Sequence, residues 1–440
     1  MSDTPLTPRP SWGGRLAEAL RRTFASARSS RNFRLFLSGQ FVSAIGTWMN
    51  FTASGWLVWR LTHSGAALGV NSALAFGPML ILGAWGGVLA DRFNKRKILI
   101  ATQSSYAVLA LVMAMLIGTD VIALWMVYVL SVATGLVIAI DNPSRQSFYV
   151  EMVGEAELTN AVSLNSAAFT GARVIGPAIA GIVIAAVGMA WCFGLDAVSY
   201  LFVLGALIAM RPEELHAQRR STRDRGHMVA GLKYVWGTDD LRRPLVVLAV
   251  MFVGVFQWQV LLPLLSEITF NAGAREFGLM STAAGIGAFV GAITTAHGHR
   301  APGMRRLGLF AALVGVSMLL VSISPTLPVA MVAMIPVGFA AMCFMITGNT
   351  MLQTNAKPEA RGRVMALYGI VFLGSTPFGA PLAGWLGQAL GPRLEFALMG
   401  LLAIGVGAAV LVMRRRAHVA QPDDVVVATT EPAIAARSGP

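Results

Sequence analysis

A few ionisable residues stand inside long apolar runs, where they are costly enough to demand a reason. Arg173 lies in GARVIGPAIAG (Gly171–Gly181), Asp141 and Arg145 in DNPSRQSF (Asp141–Phe148), and Asp196 in FGLDAVSYL (Phe193–Leu201), while Glu267 closes a later apolar run. At mid-membrane depth each such group costs roughly 2.5 to 3.5 kcal/mol or more to insert. The chemistry open to them is ion pairing, proton binding and release, or recognition of a charged solute. Arg173 has two readings: a permanent ion pair, with Asp141 as partner, or a counter-charge for a substrate anion. Asp141, Asp196 and Glu267 are proton-coupling candidates, though Asp196 and Glu267 also read as helix-end or interface residues. Covalent chemistry finds no support. HExxH, GxSxG and Walker A patterns are absent, His297 and His299 sit at the end of an apolar run, and Cys192 and Cys343 are far apart. No cofactor and no metal are expected, and an enzyme is disfavoured.

Polar residues recur at helical spacing in the same runs. Gln40, Ser43, Thr47, Asn50 and Ser54 follow one another at intervals of three and four, which places them on one helix face. Ser131, Thr134, Asp141 and Arg145 share a face in the fourth run. Gln257 and Gln259 flank Trp258, and Thr347, Asn349, Thr350 and Gln353 cluster in the tenth. Such stripes either line a wet cavity or make interhelical hydrogen bonds worth about 0.6 to 2 kcal/mol each. The first stripe as a whole favours a water-filled cavity. Trp48, Phe51, Trp56 and Trp258 can stack on a planar solute or simply pack helices.

The elements that must position these residues follow from composition. Of 440 residues, 55% are hydrophobic and only 12% charged, about half the charged fraction of an ordinary soluble domain. A mean hydropathy of +0.65 makes lipid the solvent for most of the chain, and only helices satisfy their backbone there without a closed barrel. Spans are expected at 34–58, 66–90, 97–118, 121–142, 158–187 and 189–210, then at 244–266, 277–298, 305–324, 327–352, 363–390 and 394–414. Arginines at 9, 15, 21, 22, 28 and 31 precede the first span without a signal-peptide apolar region. With them, Arg92, Lys95, Arg96, Lys97, Arg145, the stretch from Arg211 to Arg243, Arg300, Arg305, Arg306, Lys357, Arg361, Arg363 and Arg414–Arg416 fall on one side. Only Arg60, Arg275 and Arg393 fall on the other. The positive-inside rule puts both termini in the cytoplasm, so the net charge of +13 expresses topology and not nucleic-acid binding.

An internal duplication is visible. GARVIGPAIAG in the fifth span is echoed by STPFGAPLAG (Ser375–Gly384) in the eleventh, and the polar approaches GEAELTNAVSLN (Gly154–Asn165) and KPEARGRVMALY (Lys357–Tyr368) match in place. The expected organisation is a basic N-terminus (1–33), a six-helix bundle (34–210), a cytoplasmic linker (211–243), a second six-helix bundle (244–414) and a disordered tail (415–440). Twelve spans in two pseudo-symmetric halves would place a substrate site between them at the midplane.

Between the second and third spans stands GGVLADRFNKRK (Gly86–Lys97). Gly87 permits close helix approach. Asp91 at a helix C-terminus opposes the dipole unless a cation receives it, and Arg92, Lys95, Arg96 and Lys97 are within the same turn. This pattern resembles the major facilitator superfamily, whose hallmark here is Gly-x-Leu-Ala-Asp-Arg-x-Gly-Arg-Lys; Asn94 replaces a glycine, both residues tolerating left-handed backbone. Gly171, Arg173, Gly176, Pro177 and Gly181 resemble that superfamily's antiporter motif. With DNPSRQSF, ELTNAVSLNS (Glu157–Ser166) and FGLDAVSYL they resemble its bacterial exporter branch, which includes enterobactin and macrolide exporters.

The resemblance, over residues 30 to 415, implies a rocker-switch transporter with spans 1, 4, 7 and 10 lining a cavity, a cytoplasmic latch at Asp91 and the basic turn, and export as direction. Gln40, Ser43, Thr47, Asn50, Asp141, Arg145, Gln257, Asn349 and Gln353 are then the cavity and substrate candidates. One departure is clear: ALWMVYVLS (Ala123–Ser131) lacks the arginine that drug–proton antiporters usually carry early in the fourth span. The expected function is proton-coupled export of a small amphipathic compound, a drug or siderophore, by a monomer in the inner membrane; uptake of a small metabolite is the alternative.

Overall fold

The computed structural model describes residues 25–216, 227–297 and 302–419, with the side chains of Ala84, Ala90, Asp91 and a few residues next to the gaps left aside. Expectations for the arginines before residue 25, the middle of the linker, His299, Arg300 and the tail beyond 419 lie outside these residues. Among the described residues every regular element is helical. The long ones are α1 (Arg31–Thr62), α2 (Gly65–Arg92) and α3 (Lys95–Gly118), then α4 and α5, the two arms of Leu124–Val187, and α6 (Met189–Ala209). They are followed by α7 (Asp239–Gly254), α8 (Ala274–His297), α9 (Met304–Ser322), α10 (Leu327–Asn355), α11 (Pro358–Gly374, resuming as Thr376–Leu390) and α12 (Pro392–Val419).

Local chemistry explains where these helices start and stop. The hydroxyls of Ser30 and Ser64 accept from the backbone N–H of Phe33 and Ala67, capping α1 and α2. Asn94 caps α3 by accepting from Lys97 N–H at 3.2 Å. With φ −64° and ψ 115° its backbone is extended, so Asn94 serves here as an N-cap and makes no use of the left-handed geometry it tolerates. Leu124–Val187 runs 64 residues, roughly three times the hydrocarbon thickness. It is broken at Gly154, whose φ of +72° and ψ of 175° are open to glycine. The α4 arm therefore extends well beyond the expected end at 142. Ten helical stretches are long and apolar enough to cross a bilayer, counting Leu124–Val187 once. The polar stripe of α1 keeps that 32-residue helix out of this set.

The described part of the expected linker is itself partly helical. A helix, His227–Trp236, forms inside it, and α7 begins at Asp239, where Asp239 pairs with Arg242 at 2.6 Å and Arg243 at 2.8 Å in the first turn. The seventh span is also not one smooth helix: it ends at Gly254 and resumes through short tight and wide turns from Trp258 to Thr269.

Packing repeats between the halves. Helix α2 lies on α4 and α3 on α6, as α8 lies on α10 and α9 on α12; across the halves α2 meets α11 and α5 meets α8. The echoed motifs do the same job in each half. Gly176 lets α5 close on Trp48 and Met49 of α1, and Gly379 lets α11 close on Val253 and Gln257 of α7. Five residues on in each half, Gly181 meets α8 at Arg275, and Gly384 meets α2 at Gly65. Small residues at such crossings replace the hydrophobic drive that lipid does not supply. At the α8–α10 crossing a Cβ on Gly338 would overlap the Ala284 backbone. Gly338→Val is expected to cost more than the ~1–3 kcal/mol of ordinary overpacking, seen as a clear fall in the thermal unfolding midpoint in detergent.

Candidate functional site

The contacts between halves are concentrated at one end. Trp59 Nε1–H of α1 donates to Glu267 Oε2 at 2.5 Å, with His63 Nδ1 3.7 Å from the other carboxylate oxygen. Ser64 Oγ–H donates to Gln388 Oε1 at 2.9 Å, and Trp56 stacks on Phe277 with ring centroids 5.9 Å apart. A shallow recess of about 530 Å³, lined by Trp56, Arg60, His63, Glu267 and Asn271–Gly273, lies at this sealed end. The opposite, basic end carries Lys95, Arg96 and Arg211.

One stripe of α5 shows how the halves part. Gly181, Pro177 and Arg173, spaced by four, pack against Arg275, Gly278 and Gly285 of α8. The same stripe continues toward the basic end as Phe169, Ser166 and Val162, all exposed. On α8 it is continued by the exposed Phe289 and Ile293. A gap between the halves therefore opens toward the basic end and closes near the depth of Arg173.

The polar groups divide between this gap and the interior of the first bundle. In α1, Thr47 Oγ1 lies 3.3 Å from Tyr200 Oη and Asn50 Nδ2–H donates to Asp196 Oδ2 at 2.7 Å. Ser43 is buried and gives its carbonyl to Thr47, and Gln40 is buried with no hydrogen-bond partner for its carbonyl oxygen among the described residues. These residues thus run along α6, which Gly39 and Gly46 let press directly against α1, while Thr47 stays exposed and Asn50 partly so. Ser54 reaches α2 instead, through Asn71, which in turn accepts from Ser131 of α4 at 2.7 Å.

Asp141 is wholly engaged. It pairs with Arg145 one turn on, and accepts from Thr102 Oγ1–H at 2.7 Å and Gln103 Nε2–H at 3.0 Å of α3. It is not the partner of Arg173. The Arg173 guanidinium lies over the Trp48 ring, 5.1 Å from its centroid. Asp196 is 0% exposed, and among the described residues its carboxylate is hydrogen-bonded to Asn50 and Ser199. Gln257 is spent on the break in α7, donating to the freed Phe252 carbonyl at 2.8 Å. Gln353 donates to Asn349 one turn away at 2.5 Å, and of the pair Gln353 is exposed.

In the basic turn, Lys95 binds Glu151 at 2.5 Å, and Arg96 donates to the end carbonyls of α6, Leu207 and Ile208, at 2.7 and 3.1 Å. Arg92 and Lys97 are exposed. Lys95 and Arg96 therefore hold their own half together and do not reach the other. Next to Gly87, which is buried, Gly86 makes a close approach to Ala139 of α4. Among the described residues Gly171 has Phe41 alone near it. Both cysteines are free and buried.

Sequence reasoning missed Trp59, Thr102, Gln103 and above all Glu395 in the first turn of α12. Glu395 is 3% exposed, with no hydrogen-bond partner for Oε2 among the described residues. The signal that flagged Asp196, an acid within an apolar run, was present there too.

The model of the transmembrane secretion effector family matches residues 22–439. The chain is 24% identical to the staphyloferrin A transporter of Staphylococcus aureus, over 84% of this chain and 93% of that protein. It is 29% identical to the multidrug efflux pump Tap of Mycolicibacterium fortuitum, over 86% and 95%, and 25% identical to the enterobactin exporter EntS of Escherichia coli, over 85% and 90%. Among solved structures, the nucleoside transporter NupG superposes with a TM-score of 0.68 at 12% identity, covering 87% of this chain and 98% of that one. An inward-facing, occupied bacterial homologue of the human lysosomal transporter Spinster gives 0.66 at 14% identity, over 87% and 96%.

Proposed function

The chain belongs to the transmembrane secretion effector family of the major facilitator superfamily, and from that premise we propose that it exports a small amphipathic compound in exchange for protons by alternating access. The observation that carries the reading is the α5 stripe, sealed against α8 at Arg173, Pro177 and Gly181 and free at Phe169 and Ser166. A gap open at one end and closed at the other is one of the two states such a mechanism requires. Charge asymmetry makes the open, basic end cytoplasmic, with both termini there and twelve crossings of the inner membrane. The break at Gly154 supports this count by dividing Leu124–Val187 into two crossings, with α1 added to the apolar set. The halves are 34–210 and 244–414, joined through 211–243, and a single copy holds the whole gap, which favours a monomer.

Asp196 is the coupling residue in this account. Burying an unpaired carboxylate is costly, so its protonation is tied to how α1 and α6 pack around it. Asp141 and Glu267 fit the role less well, the first being held by Arg145 and the second by Trp59. One charge crossing 100 mV gains about 2.3 kcal/mol, enough for a roughly fifty-fold gradient. A lipid bilayer, a small solute and protons are then the partners, without nucleic acid.

Everted membrane vesicles test the direction. Export predicts accumulation of fluorescent drug or siderophore inside energised vesicles, collapsed by a protonophore; loss of solute from them would reverse the assignment. The latch role of Asp91 belongs to the opposite state, in which the basic ends close. Asp91→Asn is expected to slow initial transport severalfold in proteoliposomes with membrane insertion intact, and an unchanged rate would remove the latch.

A further inference from the structure

Arg173 holds its charge in the middle of α5 with no acid or acceptor on its guanidinium among the described residues. Structures rarely leave an arginine in an apolar interior without a counter-charge. Beside it a second donor is stranded: Trp48 Nε1–H is buried and has no acceptor among the described residues. Two neighbouring donors that lack an acceptor describe the outline of an anion. A guanidinium is suited to it, since its planar fork matches a carboxylate or sulfonate and its face stacks on rings.

The surroundings add an apolar half to this outline. Trp48 meets Phe51 edge-on at 5.9 Å and Phe169 at 5.6 Å. Phe51 is 39% exposed and Phe169 44%, so each keeps ring surface free. Phe169 lies one turn from Arg173 on the stripe that faces the gap. Arg173 itself stands where that stripe first touches α8, beside Gly285. The charge thus sits at the closed end of the gap, with aromatic surface leading to it.

We infer that Arg173, Trp48, Phe51 and Phe169 form a subsite for the acidic group and ring of an aromatic organic anion. The inference rests on the transporter reading, because it takes the gap as the path of a solute. The competing role for Arg173, a cation kept only to pack on Trp48, predicts no charge preference.

Two xanthene dyes of opposite charge, fluorescein and rhodamine 6G, separate these roles by equilibrium anisotropy on the purified protein in nanodiscs. The wild type is expected to bind fluorescein more tightly than rhodamine 6G. Arg173→Gln should weaken fluorescein binding by about tenfold or more, the scale of a lost charge-assisted hydrogen bond, with rhodamine 6G changed less than about twofold. Arg173→Lys should fall between. Trp48→Phe keeps a ring but removes the indole donor, and should weaken fluorescein alone by a few fold. A wild-type preference for rhodamine 6G would overturn the subsite whatever the variants do, as would equal losses of both dyes or none in Arg173→Gln. Binding needs no transport, so the two readings fail separately. Arg173-dependent fluorescein binding without energised uptake into everted vesicles sustains the subsite and defeats the transporter. Energised rhodamine 6G uptake with fluorescein binding indifferent to Arg173 does the reverse.

Discussion

Asp196→Asn is expected to abolish proton-driven accumulation while leaving exchange of solute between equal solutions intact. The side chain is 0% exposed and is held by Asn50 at 2.7 Å and Ser199 at 3.4 Å, both neutral. Asparagine has the same shape and can keep a hydrogen bond to this pair, so the packing of α1 on α6 across Gly46 should survive. What disappears is the proton. Accumulation driven by a pH gradient in proteoliposomes should fall at least tenfold, and counterflow should stay within about twofold of wild type, since it needs only the conformational change and not the charge. If gradient-driven accumulation persisted, the coupling group would have to be sought elsewhere, with the buried Glu395 next in line.

Removing Asp141 should instead damage the fold. Its carboxylate holds Arg145 and accepts from Thr102 and Gln103, so α3 and α4 are tied through one acid. Asp141→Leu leaves the largely buried Arg145 cation and two donors without an acceptor, and breaking one partner of a buried pair typically costs about 3–5 kcal/mol. A large drop in unfolding midpoint and poor recovery from the membrane are expected. The double variant Asp141→Leu, Arg145→Met removes both charges and should regain much of the loss, because a buried pair is worth little more than well-packed apolar groups. Equal stability of the single variant and the wild type would mean that Arg145 reaches water on its own.

Much of this architecture was legible because lipid imposes simple rules on sequence. Apolar length marks spans, and the echo between Gly176–Gly181 and Gly379–Gly384 marks equivalent helix crossings. Asp141 and Arg145 sit at i,i+4, so their pairing follows from helix geometry. Periodicity, however, says which residues share a face and not which neighbour that face meets. Hence Thr47 and Asn50 turned out to bond α6, since the nearby glycines that bring α6 so close say nothing of its identity. Gln257 looked like a cavity residue, but its partner is a carbonyl released by the break after Gly254 in α7, and a single glycine in an apolar run does not by itself mark a break. Arg173 posed the opposite problem. Its charge was conspicuous, whereas the absence of a partner is a property of three dimensions.

The same geometry makes demands on motion. Trp59–Glu267, Ser64–Gln388 and the stack of Trp56 on Phe277 must part before anything can leave at their end. Each is a contact of modest strength, about 0.5 to 1.5 kcal/mol for the neutral hydrogen bond and the ring stack and about 1.5 to 3 for Trp59 on the Glu267 carboxylate, so the seal can open once solute or proton binding shifts the balance. The glycine crossings at Gly65–Gly384 and Gly181–Arg275 lie on the surfaces about which the halves would rock.

Spin labels test this motion most directly, one pair spanning α2 and α11 near Ser64 and Gln388, the other spanning α5 and α8 near Ser166 and Phe289. Between pH values that protonate and deprotonate the coupling acid, the two distances should change in opposite senses, one end widening as the other narrows. Two distances that stay fixed, or that widen together, would contradict a gap opened alternately to the two sides.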